Sequence, residues 1–243
     1  MLIAAATILV GFIVLIWSAD LFVAGAASIA ENLGLSPVII GLTIVSLGTS
    51  APEILVSLTA ALAGAGDLAI GNAIGSNIAN IGLVLGVTVL VAPLCVHPSC
   101  MRVEMPTLLV VTVGVGALML DGVLSGLDGI LMASALVIIL VQMVRTQAKD
   151  ETLLEEAVDE PLPHLNPAKA WITFAFGLIL LIASSRLLVW GATDIALRLG
   201  VSQLVIGLTI VAVGTSLPEL AATVASALRG HTEIAVGNVI GSN

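Results

Sequence analysis

One stretch of this chain occurs twice, and the repetition limits the fold more than any other feature. Residues 34–77 read GLSPVIIGLTIVSLGTSAPEILVSLTAALAGAGDLAIGNAIGSN, and residues 200–243 read GVSQLVIGLTIVAVGTSLPELAATVASALRGHTEIAVGNVIGSN. They align without a gap at a constant offset of 166, and roughly half the positions are identical. Shared hydrophobicity cannot explain the match, because the identities include Thr, Ser, Pro, Glu and Asn in GLTIV-x-x-GTS-x-PE and GN-x-IGSN. Self-similarity at a fixed spacing marks a duplicated unit.

The solvent around both copies is lipid. Hydrophobic residues make up 59% of the chain and charged residues 9%, whereas a soluble domain carries about 25% charged residues to face water. Mean hydropathy is +1.21. Apolar runs long enough to cross a ~30 Å hydrocarbon core as helices recur along the whole length. Polar breaks divide the chain into spans at about 2–30, 36–63, 68–93, 105–120, 129–144, 170–197 and 202–228, with an eighth opening near 233. The run 1–17 lacks the basic flank of a signal peptide and reads as a retained first helix. With only seven Lys and Arg, nucleic acid is excluded as a partner.

Five crossings separate span two from span seven, so the two copies enter the membrane from opposite sides. The expected fold is therefore all-α: a polytopic transmembrane bundle of two inverted five-helix repeats, the second truncated. Residues 1–144 form the first repeat, with its motif at 34–80. Residues 145–169 form an acidic linker, with prolines at 161, 163 and 167, and residues 170–243 form the incomplete second repeat, with its motif at 200–243. Arg102, Arg145, Lys149, Lys169 and Arg229 fall in loops on one face, which the positive-inside rule makes cytoplasmic. Arg198 falls on the opposite side. This places the N-terminus outside, in a multi-pass protein of the inner (plasma) membrane. Cys95 and Cys100, five positions apart with His97 between them, read as small residues at a membrane edge rather than a metal pair or disulfide.

Gly48, Thr49, Ser50, Pro52 and Glu53 fall near the middle of a span, and Gly214, Thr215, Ser216, Pro218 and Glu219 repeat them. Proline removes a backbone donor and breaks the helix, so carbonyls near Ser46, and near its match Ala212, are expected to be freed. Together with the hydroxyls and carboxylates they form a set of hard oxygen donors of the kind Ca2+ and Na+ prefer. An acidic side chain at mid-membrane costs at least ~2.5–3.5 kcal/mol. Two of them at equivalent positions of inverted copies repel unless a cation lies between them. In the second motif Gly71 and Gly75 permit close helix packing. Ser76 and Asn80 share one helical face, four residues apart. Asn72 and Asn77 read equally as ligands or as interhelical hydrogen-bond partners, and Asn238, Ser242 and Asn243 match Asn72, Ser76 and Asn77.

These motifs resemble the alpha-1 and alpha-2 repeats of the sodium/calcium exchanger family, within the calcium/cation antiporter superfamily. The resemblance implies ten helices in two inverted halves, with Glu53 and Glu219 ligating Ca2+ at the centre. Thr49, Ser50, Ser76, Thr215, Ser216 and Ser242 would line flanking Na+ sites with the backbones of Ser46 and Ala212. Asn80 resembles the neutral residue of potassium-independent exchangers. It further implies a monomer that exchanges Ca2+ for Na+ by alternating access, with no enzymatic chemistry and no cofactor beyond the transported ions. The first and sixth spans would slide against the core. A calcium/proton exchanger and a non-transporting membrane protein are the alternatives. The family places an acidic residue four positions after the alpha-2 serine. Here that is position 246, beyond Asn243, so a fragment or shortened product lacking about two and a half helices is expected.

Overall fold

A computed structural model describes residues 1–35, 37–64, 66–96, 98, 100–147, 165–201, 210 and 212–243. Most of the expected linker, His97 and the first third of the seventh span lie outside the described residues. Those that are described form helices and turns, with no strand among them. The elements are α1 (Leu2–Leu33), α2 (Pro37–Ile40), α3 (Ser46–Thr49), α4 (Ala51–Leu62), α5 (Gly66–Ala79) and α6 (Gly86–Val91). They continue with α7 (Met105–Leu118), α8 (Gly126–Gln147), α9 (Pro167–Arg198), α10 (Ala212–Thr215), α11 (Leu217–Leu228) and α12 (Thr232–Gly241). Wide π-helical turns at Gly41–Val45, Asn80–Leu85 and Cys100–Glu104 join α2 to α3, join α5 to α6 and lead into α7.

Among the described residues, four helices are long and apolar enough to cross a membrane: Leu2–Leu33, Leu68–Val91, Cys100–Leu118 and Pro167–Arg198. The pair Gly41–Thr49 and Ala51–Leu62, bent by 54°, makes a fifth if it counts as one span. These are the first, third, fourth, sixth and second expected spans. Gly126–Gln142 and Leu217–Leu228, in the fifth and seventh, are apolar but shorter. No residue of α7 is buried, and its exposed Leu109, Val110 and Val113 face outward with Ile130 and Val137 of α8. An apolar outer surface of this kind is what hydrocarbon requires.

The core forms where α1 and α9 lie against each other, and glycine sets their separation. A Cβ on Gly25 would fall 2.5 Å from the Phe174 nitrogen, and one on Gly177 would fall 2.6 Å from the Phe22 nitrogen. Toward the other end, Gly11 meets Leu188 at 3.1 Å and Gly191 meets Ile8 at 2.8 Å. Lipid tails supply no hydrophobic drive for helix association, so backbone contact through small residues is what brings such helices together. Phe22 and Phe174 then stack with ring centroids 4.8 Å apart.

These contacts follow the repeat. Shifting the contact between Gly25 and Phe174 by 166 in opposite directions yields that between Gly191 and Ile8. The same operation turns the contact of Gly11 with Leu188 into that of Gly177 with Phe22. Partner numbers fall along α9 as they rise along α1, so these equivalent helices run antiparallel, as copies of opposite orientation require. Both copies also stop helices with left-handed glycines at matching places: Gly34 (φ 63) and Gly200 (φ 82), then Gly64 (φ 76) and Gly230 (φ 85). Beyond the spans, the Arg229 guanidinium ties α11 to Asp20 of α1 at 2.5 Å. The Asp20 hydrogen bond holds its pKa above the ordinary arginine value.

Candidate functional site

The two glutamates sit at equivalent breaks. Ser50 (φ −78, ψ 3) separates α3 from α4, and Ser216 (φ −87, ψ 5) separates α10 from α11. Pro52 and Pro218 follow in the first turn of each new helix, where a missing N–H does no harm. Glu53 and Glu219 occupy the same first turns. Both are buried, at 7% and 1% exposure.

Glycine also brings the copies together here. A Cβ on Gly41 would lie 2.7 Å from the Ile234 carbonyl and 3.1 Å from the Gly237 Cα. The second helix of copy two therefore lies on the first half-helix of copy one. Gly241 approaches the Leu42 carbonyl and the Ser46 hydroxyl in the same way. At Gly71 and Gly75 an added Cβ would meet nothing within 4 Å among the described residues, so the close packing expected of this glycine pair is seen in copy two.

Bonds then run from one copy to the other. The Ser50 hydroxyl donates to Glu219 Oε1 at 2.9 Å, and the Thr49 hydroxyl donates to Asn238 Oδ1 at 3.2 Å. Asn80 Nδ2 reaches the carbonyl and the hydroxyl of Ser242, both at 3.4 Å. Asn77 Nδ2 donates to the main-chain oxygen of its own equivalent, Asn243, at 3.3 Å, which puts this pair on the line relating the copies. Thr215 and Ser216 face the Glu53 carboxylate, and the charge of Glu219 acts on it as well.

Among the described residues, five buried oxygens at this place have no hydrogen-bond partner: Glu53 Oε1 and Oε2, Glu219 Oε2, Asn80 Oδ1 and Ser216 Oγ. A buried acceptor without a partner is costly. Five from both copies around two carboxylates make a concentration of negative potential suited to a cation.

One expectation changes. The Ser46 carbonyl is not freed by the helix break, because it accepts the Ser50 N–H at 2.9 Å and the Thr49 hydroxyl at 3.2 Å. The disruption falls one residue later, at Ser50, so the bond from Ser50 back to Ser46 survives. Ser76 keeps its hydroxyl on its own helix, donating to the Ala73 carbonyl at 3.0 Å, while Ser242 also meets Asn80. Ala212 opens α10. Ser57 and Thr223 belong to the neighbourhood but were not anticipated. Each accepts an amide hydrogen at 2.9 Å, from Asn72 and Asn238 respectively. The available signal was a hydroxyl kept at the 166 offset, one turn after each glutamate.

Known proteins resemble this chain along nearly its whole length. Residues 3–145 and 169–243 match a family model described as sodium/calcium exchanger protein. CaxA of Alkalimonas amylolytica is 50% identical over 246 residues, which cover 100% of this chain and 77% of that protein. A sodium/calcium exchanger of Methanosarcina acetivorans is 31% identical, over 97% of this chain and 78% of its own length. A solved structure of the sodium-calcium exchanger NCX_Mj, soaked with zero Na+ and Ca2+, superposes with a TM-score of 0.87 at 36% identity, covering 100% of this chain and 78% of that one.

Proposed function

The chain belongs to the sodium/calcium exchanger family, and from that premise we propose that it is a secondary antiporter moving Ca2+ against Na+ by alternating access. Both ions bind between Glu53 and Glu219. The observation that carries this reading is the set of buried oxygens without donors, contributed by both copies. Ca2+ takes about six to eight oxygen ligands and tolerates irregular geometry. The two carboxylates hold it, and Asn80 Oδ1 adds a neutral ligand. Thr49, Ser50, Thr215, Ser216, Ser76 and Ser242, with the Ala212 backbone, serve the flanking Na+ positions. The Ser46 carbonyl accepts the Ser50 N–H and shares the Thr49 proton with Asn238, and it is left out of this set.

A hydroxyl has one proton and two lone pairs. Ser50 commits its proton to Glu219, which leaves its lone pairs for a cation. Na+ and Ca2+ compete for overlapping oxygens, so inward Na+ movement expels Ca2+. The first and sixth spans, α1 and α9, slide against the core helices around the shared site, and the acidic linker 145–169 joins the repeats 1–144 and 170–243 on the cytoplasmic side. The N-terminus lies outside, in the inner (plasma) membrane.

The test is Ca2+ uptake into liposomes holding the purified protein, driven in turn by an outward Na+ gradient and by a pH gradient without Na+. Uptake that follows the Na+ gradient is the expected result. The two unpartnered oxygens of Glu53 also favour a second reading, because protonation relieves a buried carboxylate as a metal does. Uptake driven by the pH gradient alone would establish proton exchange instead. Silence under both gradients rejects transport by this chain.

A further inference from the structure

We propose that Asn72 and Asn238 are positioning residues that hold each glutamate helix at its working height and rotation, and are not themselves cation ligands. The inference rests on the cation reading above. Its support is one geometry built twice. Asn72 Nδ2, on α5, donates to the Glu53 carbonyl at 3.2 Å and to the Ser57 hydroxyl at 2.9 Å. Asn238 Nδ2, on α12, lies 3.5 Å from the Glu219 carbonyl and 2.9 Å from the Thr223 hydroxyl. The donor, the carbonyl and the hydroxyl one turn later all correspond at the 166 offset.

The chemistry assigns the amide ends. A main-chain carbonyl only accepts, so the NH2 group must face it; a flipped amide would set oxygen against oxygen. Both N–H groups of each asparagine are then committed. In Asn238 the oxygen also accepts the Thr49 hydroxyl, which takes one of its two lone pairs. Asn238 therefore keeps a single lone pair, and its nitrogen end is no ligand.

The helix breaks make such a brace necessary. α4 and α11 each start afresh after Ser50 and Ser216, so their first turns are not held in line by the helix before them. Residues i and i+4 share one face, and gripping both fixes the rotation of the first turn and the direction of the carboxylate. Asn238 does one thing more. By accepting from Thr49, whose proton also faces the Ser46 carbonyl, it turns the Thr49 lone pairs away from itself and ties the copies together. Asn238 therefore matters more than Asn72.

The test is equilibrium binding of radioactive Ca2+ to the purified protein in nanodiscs, run beside thermal melts. Asn238→Ala is expected to weaken binding about tenfold, the scale of a lost pair of buried hydrogen bonds, and Asn72→Ala somewhat less. The number of sites at saturation stays that of the wild type. Thr223→Val, which keeps shape but loses the hydroxyl, should match Asn238→Ala, and Thr223→Ser should restore wild-type affinity. The double variant should bind no worse than either single one. Ser57→Ala and Ser57→Thr form the corresponding pair in copy one.

A purely structural asparagine would lower the melting temperature without this hydroxyl-dependent pattern in affinity. Unchanged affinity in both asparagine variants overturns the brace alone, as does a Thr223→Ser loss equal to that of Thr223→Val. A lost site at saturation makes asparagine a ligand and also overturns it. Absence of Ca2+ binding by the wild type overturns the cation site and the brace together.

Discussion

A carboxylate inside a membrane needs a proton, a counter-ion or a ring of donors, and Glu53 has no hydrogen-bond donor at either oxygen. Glu219 has one, from Ser50. The pair is therefore unequal although the sequence motifs are alike. Glu53→Gln and Glu219→Gln should each abolish Na+-driven Ca2+ flux, because an amide cannot replace a charge-bearing ligand. Retained flux in either variant, measured in proteoliposomes, would remove the glutamates from the site. Ser50→Ala leaves the charge and removes one charge-assisted bond, so a smaller effect is expected: about a tenfold rise in the Ca2+ concentration for half-maximal flux. At this scale much was legible beforehand. An acidic residue at mid-membrane, twice at one offset, declares itself. The bonded state of the Ser46 carbonyl did not: Pro52 removes the donor to the carbonyl four residues back, at Gly48, and says nothing of the donor that serves Ser46.

Helices here meet through glycine, and the geometry discriminates among glycines that look alike in sequence. Gly177 has backbone at 2.6 Å from where its Cβ would stand, whereas Gly114 on α7 has nothing within 4 Å among the described residues. Gly177→Leu should therefore force α1 and α9 apart and destabilise the fold by about 1–3 kcal/mol or more. Gly114→Ala should be neutral or mildly stabilising through helix propensity. Thermal melts of the two variants in detergent check the contrast, and equal melting temperatures would contradict the packing described. The broken spans were readable from Pro52 and Pro218, whose ring geometry acts locally. The π-helical turns at Gly41–Val45 and Asn80–Leu85 have no comparable local signature. At Gly41 the turn lies against the Ile234 carbonyl, 2.7 Å from where a Cβ would stand.

Across the whole molecule, the pairing of α1 with α9 relates the copies by exchange of contacts, as between Gly25 with Phe174 and Gly191 with Ile8. In the alternating-access reading proposed above, the second state is the one in which the copies trade conformations. We propose that a bond closed on one side, from Ser50 to Glu219, and open on the other, where Ser216 only faces Glu53, separates the two states. Ser50→Ala should accordingly change apparent Ca2+ affinity unequally from the two sides of the membrane, measured in right-side-out and inverted vesicles. Equal shifts on both sides would deny that the bond belongs to one state.

The amino-acid order alone determined that this chain lives in lipid, that it holds one unit twice, and that Glu53 and Glu219 are equivalent, and the parity of crossings led to the expectation of inverted copies. Composition, spacing and parity need no distances. Only the tertiary structure decided that Asn72 and Asn238 grip the glutamate helices through Ser57 and Thr223, and that Ser46 keeps its carbonyl bonded. It alone also showed that Ser50 reaches across to the other copy. A hydrogen bond forms or fails over a few tenths of an ångström, and that margin is set by how closely glycine lets helices distant in sequence approach.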